Sequence, residues 1–211
     1  MKFEMTETSG WHNAIVGMRN PMKSWNKSDT KYDPLAIGEN DLSLMRRLLS
    51  TGSDSDGKFL RMVNVAVQIT APAYWWAELD TYKIGTVRDS CSIQHTGAKR
   101  DYEISDFSLD SYDNTTAYEF SVVLKIVNRY RLIYKETGDY TAFRVMRQIM
   151  PMGINYTAMW SANYAVLRNI YRQRVEHPHR LKEWTKDFAE WVDSLPYSEL
   201  IKGESDAGGI R

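Results

Sequence analysis

The stretch DTYKIGTVRDSCSIQHT, residues 80–96, gathers Tyr82, Lys83, Arg88, Asp89, Cys91, Ser92 and His95, in a chain with four histidines and one cysteine. Such a set can bind an anion, move a proton or present a thiol. The same residues also describe an ordinary turn whose charges pair with one another. Taken singly, His95 reads as a structural histidine and Cys91 as a small hydrophobe. Two further cations sharpen the question. Arg147 stands four residues after Phe143 and three before Met150, and Arg174 follows Leu167 and Ile170 at helical spacing. An arginine on an apolar stripe needs a partner, because desolvating its charge costs several kcal/mol. The partner is either a structural carboxylate or a shared anionic ligand, and phosphate suits the guanidinium fork.

The elements that must position these residues follow from periodicity. Residues 17–38 combine Gly, Pro, Asn, Asp and Ser and read as loop, and the whole of 1–38 as an irregular segment. Leu42, Met45 and Leu49 predict a short helix, with Asn40 or Asp41 as its cap and Gly52 as its stop. FLRMVNVAVQIT alternates Val63, Val65, Val67 and Ile69 and predicts a strand. Pro72 opens a helix carrying Trp75 and Trp76, and the polar stretch follows it. Residues 97–116 read as loop with limited helix. Three helices complete the chain: 117–136 with Phe120, Val123, Leu124, Val127, Tyr130 and Tyr134 on one face, 139–150 ending before Pro151, and 157–175. On a continuous third helix, Asn163 and Arg174 nearly eclipse one another, since eleven residues at about 100° make three turns plus about 20°. Asn163 and Asn169 then point about 120° apart.

Composition removes several function classes. Lys plus Arg and Asp plus Glu are both 27, so no global charge draws the chain to DNA, RNA or an anionic membrane. One cysteine excludes an intrachain disulfide and a cysteine-rich zinc site. No metal spacing is present; His177 and His179 are an isolated pair flanking Pro178. No phosphate loop or nucleophile elbow occurs. The N-terminus lacks the apolar core of a signal peptide and no run approaches a membrane span, which predicts a soluble, cytoplasmic protein. Seven Trp and 13 Tyr suit a core, a subunit interface or a stacked planar ligand.

RQIMPMGINYTAMWSANYAVLRNIYRQR, residues 147–174, resembles the C-terminal segment of the flavin-dependent thymidylate synthases. That family carries an Arg, a Leu-Pro, a Tyr-Thr pair, an aromatic before an Asn, a Leu, a second Asn six residues after the first, and a final Arg. Arg147, Met150-Pro151, Tyr156-Thr157, Trp160, Asn163, Leu167, Asn169 and Arg174 fall on that pattern without a gap. The resemblance covers roughly residues 60–192. The family's signature is Arg-His-Arg, a Ser, Asn-Glu, and Ser-x-Arg. It falls on Thr81-Tyr82-Lys83, Thr86, Arg88-Asp89 and Cys91-Ser92-Ile93, where Lys83, Thr86 and Asp89 keep the chemical type. A further family arginine is replaced by Ala165. With YWW, DTYK and SCS in place of the signature, the chain is similar to a divergent branch.

The resemblance implies an α+β fold, a small antiparallel sheet packed with several long helices, as a single domain over 1–211. It implies a flavin-dependent methylation, or related one-carbon addition, at C5 of a pyrimidine deoxynucleotide such as dUMP. FAD is the implied cofactor, with NADPH and methylenetetrahydrofolate as co-substrates, in a homotetramer whose active sites are shared between subunits. Arg174 is the implied catalytic residue beside the pyrimidine. Arg147, Lys83, Arg88, Asp89, Cys91 and Ser92 join it on the nucleotide, and Asn163, Asn169, Tyr82 and Thr86 meet the flavin. The alternatives are a nucleotide-binding relative without catalysis and a structural or interaction protein.

Overall fold

The alternation at residues 63–71 forms the strand it predicts: Val65, Val67, Ile69 and Ala71 are buried, with half-buried residues between them. In chain order the elements of the computed structural model are β1 (Lys2–Ser9), α1 (Trp11–Arg19), β2 (Lys31–Tyr32), β3 (Leu35–Ala36), α2 (Glu39–Ser50), β4 (Asn64–Pro72), α3 (Ala73–Leu79), β5 (Val87–Ser90), α4 (Ile93–Thr96), α5 (Asn114–Thr137), α6 (Tyr140–Gln148), β6 (Asn155–Asn163), α7 (Tyr164–Ile170), α8 (Ala189–Asp193) and α9 (Glu199–Lys202). A 3-10 segment covers Asp56–Met62, and π-helical turns cover Tyr171–Val175 and Glu183–Phe188. The structure describes residues 1–175, 177 and 181–203, so Pro178 and His179 of the histidine pair lie outside the described residues. One sheet is four-stranded, in the order β1-β4-β6-β5, and β2 pairs antiparallel with β3. This is an α+β fold with a small antiparallel sheet. Among the described residues no helix is long and apolar enough to cross a membrane.

The chain divides into two compact units, the first formed by residues 1–2, 68–81 and 88–159, the second by 3–67, 82–87 and 160–211. In the first, the 24-residue helix α5 starts where the Asp113 carboxylate accepts the Thr116 N–H at 2.8 Å. It ends at Gly138, whose φ of 73° is the left-handed conformation that glycine adopts without a Cβ clash. Asp139 caps α6 at once, and Val127 meets Phe143 and Met146 across the pair. A second cluster joins Phe107, Phe120, Leu124 and Ile154. Trp75 and Trp76 are buried, and the Trp76 Nε1 donates to the Tyr156 carbonyl at 3.1 Å.

In the second unit, the Trp11 ring stands edge-on to Tyr164 at 5.1 Å, and the Tyr164 hydroxyl donates to the Pro196 carbonyl at 2.7 Å. Phe3 stacks on Trp191 at 4.9 Å. Arg19 and Asp41 form a buried ion pair at 2.6 Å. The Asp41 carboxylate also accepts from the Ser28 and Thr30 hydroxyls and the Asp29 N–H.

Three expectations change. Residues 1–38 contain the strands β1, β2 and β3 and the helix α1, of which Trp11, Ala14 and Ile15 bury one face. Gly10 makes the corner between β1 and α1: a Cβ there would stand 1.9 Å from the Met62 carbonyl oxygen. Neither Asn40 nor Asp41 is the cap: both lie inside α2, which Gly38 precedes, and their free N–H groups go to the Asp29 carboxylate. The third helix begins seven residues later than expected, at Tyr164, because 157–163 belong to β6. Asn163 is extended, with φ −120° and ψ 167°, so no helical phase links it to Arg174 or to Asn169.

Candidate functional site

Within the second unit the structure brings Arg174 and Thr86 to Tyr82 and leaves Lys83, Asn163 and Asn169 apart from it. Arg174 donates its Nε–H to the Tyr82 hydroxyl at 2.9 Å, and its guanidinium carbon lies 5.5 Å from the Tyr82 ring centre and 5.8 Å from that of Trp184. The Tyr82 hydroxyl donates in turn to Gln173 at 3.1 Å, and Gln173 to the Asn169 side-chain oxygen at 2.8 Å. The π-helical turn carries both Gln173 and Arg174 to one phenol. Two aromatic faces stabilise a cation by about 0.5–2 kcal/mol each, more as water is excluded. Arg174 is thereby oriented through its Nε and by the two rings. Lys83 is exposed and pairs with no described residue, and the Thr86 hydroxyl donates to the Tyr82 carbonyl at 2.6 Å.

Asn163 caps α7, its Oδ1 accepting the Val166 N–H at 3.1 Å, which fixes the carboxamide and leaves its NH2 donating to no described residue. Facing it is Gly85, with φ 76°; a Cβ there would stand 3.3 Å from the Asn163 Nδ2 and 3.3 Å from Val166. Gly85, Thr86, Asn163, Ser161, Ser9 and Asn64 line a cleft of about 490 Å³. That volume lies within the roughly 300–1,000 Å³ of small-molecule sites. A fixed carboxamide, hydroxyls and a backbone bared by glycine fit the edge of a planar, hydrogen-bonding ring system such as a flavin's. Asn169 lies elsewhere, on a cleft with Arg61, Arg168 and Arg172.

Within the first unit, Arg88 is already engaged. Its guanidinium lies 3.9 Å above the Trp76 ring, its Nη1 donates to Asp80 at 2.6 Å, and its buried Nε has no acceptor among the described residues. Asp89 is exposed. Cys91 is exposed at its side chain, and its N–H donates to the Thr157 carbonyl at 3.0 Å. The Ser92 carbonyl accepts the His95 and Thr96 N–H groups at the start of α4. Cys91, Ile93, Tyr102, Asn155, Tyr156 and Thr157 line a cleft of about 220 Å³, with the Arg100–Asp106 ion pair at its wall.

Arg147 does not lie on a buried stripe. It is exposed on α6, beside Arg144, because only Ala142, Phe143 and Met146 of that helix turn inward. Its charge nevertheless reaches Tyr156. Burial pushes the Tyr156 phenol above the ordinary value, and the positive charges of Arg147 and Arg88 oppose that shift. Tyr102 beside it is also raised by burial and then by Tyr156. The Arg147–Tyr156–Arg88 neighbourhood and the Tyr82–Arg174 hydrogen bond escaped sequence reasoning. The signal for the first was the Tyr-Thr pair; for the second there was only an aromatic where a basic pair was expected.

No family model matches the sequence, and no curated protein matches it. Solved structures do. The flavin-dependent thymidylate synthase ThyX from Helicobacter pylori, complexed with FAD and dUMP, is similar with a TM-score of 0.73 and 16% identity, over 95% of this chain and 96% of that one. A second structure of the same enzyme with FAD and dUMP gives 0.74 at 16% identity. The UMP/dUMP methylase PolB from Streptomyces cacaoi, bound with 5-Br UMP, gives 0.63 at 13% identity, over 91% of this chain and 87% of that one. The chain therefore has the flavin-dependent thymidylate synthase fold.

Proposed function

We propose that this chain is a divergent flavin-dependent thymidylate synthase-like enzyme that methylates, or otherwise adds a one-carbon unit to, C5 of a pyrimidine deoxynucleotide such as dUMP. The observation that carries the reading is the end-to-end likeness of its fold to a FAD- and dUMP-binding synthase and to a UMP/dUMP methylase. FAD, when bound, supplies the redox chemistry, and NADPH and methylenetetrahydrofolate are the co-substrates. The chain's own residues bind and orient. Arg174, aimed by Tyr82, holds the pyrimidine and its developing negative charge. By the resemblance, Arg147, Lys83, Cys91 and Ser92 are the residues given to the nucleotide. Asn163 presents its carboxamide to the flavin edge from the Gly85–Thr86 cleft.

Assembly as a cytoplasmic homotetramer belongs to the same reading. On α5, Tyr118, Val122, Val123 and Ile126 are exposed, an apolar face along one helix that a subunit interface would cover. A second reading, a nucleotide-binding relative without catalysis, is favoured by Ile93 at the position of the family's phosphate arginine and by the engagement of Arg88 with Asp80 and Trp76. Absorbance separates the two: the enzyme takes up FAD and shows flavin bands, whereas protein that binds dUMP and stays colourless after incubation with FAD is the inactive relative.

A further inference from the structure

One face of α1 is exposed. Trp11, Ala14 and Ile15 turn inward, while His12, Val16 and Asn20 stand at i, i+4 and i+8 on the outer side, Asn20 closing the helix. Each end of this stripe is tied to an aromatic ring of the segment that follows. The His12 ring stands edge-on to Tyr32 at 4.6 Å, and the Trp25 Nε1 donates to the Asn20 Oδ1 at 2.8 Å. Eight residues of helix set the two tethers about 12 Å apart. With its N–H satisfied, Trp25 offers an apolar ring, 48% exposed, and Met22 just before it in the chain is 82% exposed. The segment is held from beneath. Arg19 is buried, its Nη1 and Nη2 donating to the Ser24 and Lys27 carbonyls at 3.4 and 3.2 Å and its Nε to Asp41, which accepts the Ser28 and Thr30 hydroxyls. A surface fixed in this way loses little conformational entropy when a partner arrives. Lys23, Lys27 and Lys31 are exposed around it, and their ammonium groups pair with no described carboxylate.

We infer that this face docks an acidic, amphipathic segment of a partner protein. Trp, Tyr and Met are the side chains that protein interfaces concentrate at their centres, and unpaired charges at the rim select a partner of opposite sign. The aliphatic share of the face, Val16 and Met22, favours a protein over a nucleic acid, whose bases stack on rings and on arginine. The one arginine of residues 11–32, Arg19, is buried in its ion pair with Asp41. The face shares no residue with the clefts described above and does not depend on the flavin reading.

The test is fluorescence anisotropy of the full chain with a labelled peptide of repeated Glu-Glu-Leu-Phe, against its Lys-Lys-Leu-Phe counterpart and labelled oligo-dT, with co-sedimentation on phosphatidylglycerol vesicles alongside. It is repeated on Trp25→Ala and on Lys23→Glu/Lys27→Glu, each checked for native circular dichroism. Met22→Asp, on the most exposed of these side chains, serves if Trp25→Ala fails to fold. The expected result is that the acidic peptide binds and the basic one does not. Trp25→Ala weakens the acidic peptide about tenfold or more, and the charge-reversed variant loses both the binding and its salt dependence. Tighter binding of oligo-dT or of the vesicles than of the acidic peptide gives the face to another polyanion and overturns the proposal. So does failure of the acidic peptide to bind the wild type, or equal affinity in the natively folded variants.

Discussion

Arg174 and Tyr82 are joined by a hydrogen bond of 2.9 Å from the guanidinium Nε to the phenol oxygen, although they lie 92 residues apart. The phenol occupies a position where the resembling family carries histidine. It acts here as an aiming device, accepting from the arginine, donating to Gln173 and offering its ring as a second contact. Tyr82→Phe removes the hydrogen bond and keeps the ring. It should weaken dUMP binding by the worth of one such bond, about 0.5–1.5 kcal/mol, without changing the melting temperature by more than a degree or two. Titration calorimetry and a thermal melt on one sample check both.

Arg174→Ala should abolish nucleotide binding and leave the fold intact. Its contacts with the Tyr82 hydroxyl and with the Tyr82 and Trp184 rings involve side chains that the substitution leaves in place. A variant that fails to fold, by circular dichroism, would assign Arg174 to structure.

Lys83 and Arg88 should part company, although both lie in the same polar stretch. Lys83 has no described partner, so Lys83→Ala should leave stability unchanged and cost about tenfold in dUMP affinity, the loss of one charge-assisted contact. Arg88→Ala uncovers Trp76 and strands Asp80, so it should lower the melting temperature. Its effect on dUMP affinity should be smaller than that of Lys83→Ala. Measuring melting and affinity for both variants decides between a binding and a structural role for each.

How much of this was legible depends on whether the signal was local. β4 showed as an alternation of Val65, Val67 and Ile69, and α5 with α6 as helices separated by Gly138-Asp139, each a short-range pattern, although Val123, expected on the buried face of α5, is exposed. The run from Ala158 to Tyr164 misled because Ala158, Trp160, Ala162 and Tyr164 are buried at period two while Leu167 and Ile170 continue at helical spacing, so an apolar-rich strand and helix fuse into one stripe. Asn163, the cap that separates them, was legible as a polar intruder and misread as a helical one. Arg147 lay on the expected helix, but that helix buries too narrow a face to include it. The contacts of Arg174, Arg88 and Asp41 join residues distant in sequence or require a folded turn, and nothing in spacing encodes them.

Asp41 anchors the second unit's first helix to α2. Burial alone would raise its carboxyl, but hydrogen bonds from Ser28, Thr30 and Arg19 outweigh it and hold the pKa below the ordinary value. A carboxyl whose folded pKa lies under its unfolded value of about 3.9 contributes its full stabilisation above that value and loses it as pH falls through the folded pKa. Asp41→Ala should cost about 3–5 kcal/mol at neutral pH by leaving the Arg19 charge buried and unpaired. The deficit should shrink in acid below pH of about 4. Denaturant melts of wild type and variant across pH check the size and the sign.

Ile126→Asp and Val122→Asp place a charge on the exposed apolar face of α5. Light scattering should show the wild type as a tetramer and the variants as smaller species with native circular dichroism. A wild type of 24.5 kDa in solution would remove the shared-site assembly.

The chemistry itself is tested by tritium release from dUMP labelled at C5, with the full chain supplied with FAD, NADPH and methylenetetrahydrofolate. The account predicts release of tritium, with a methylated or one-carbon-extended nucleotide formed in step, and loss of both in Arg174→Ala. Protein that binds FAD and dUMP yet releases no tritium under these conditions would contradict it.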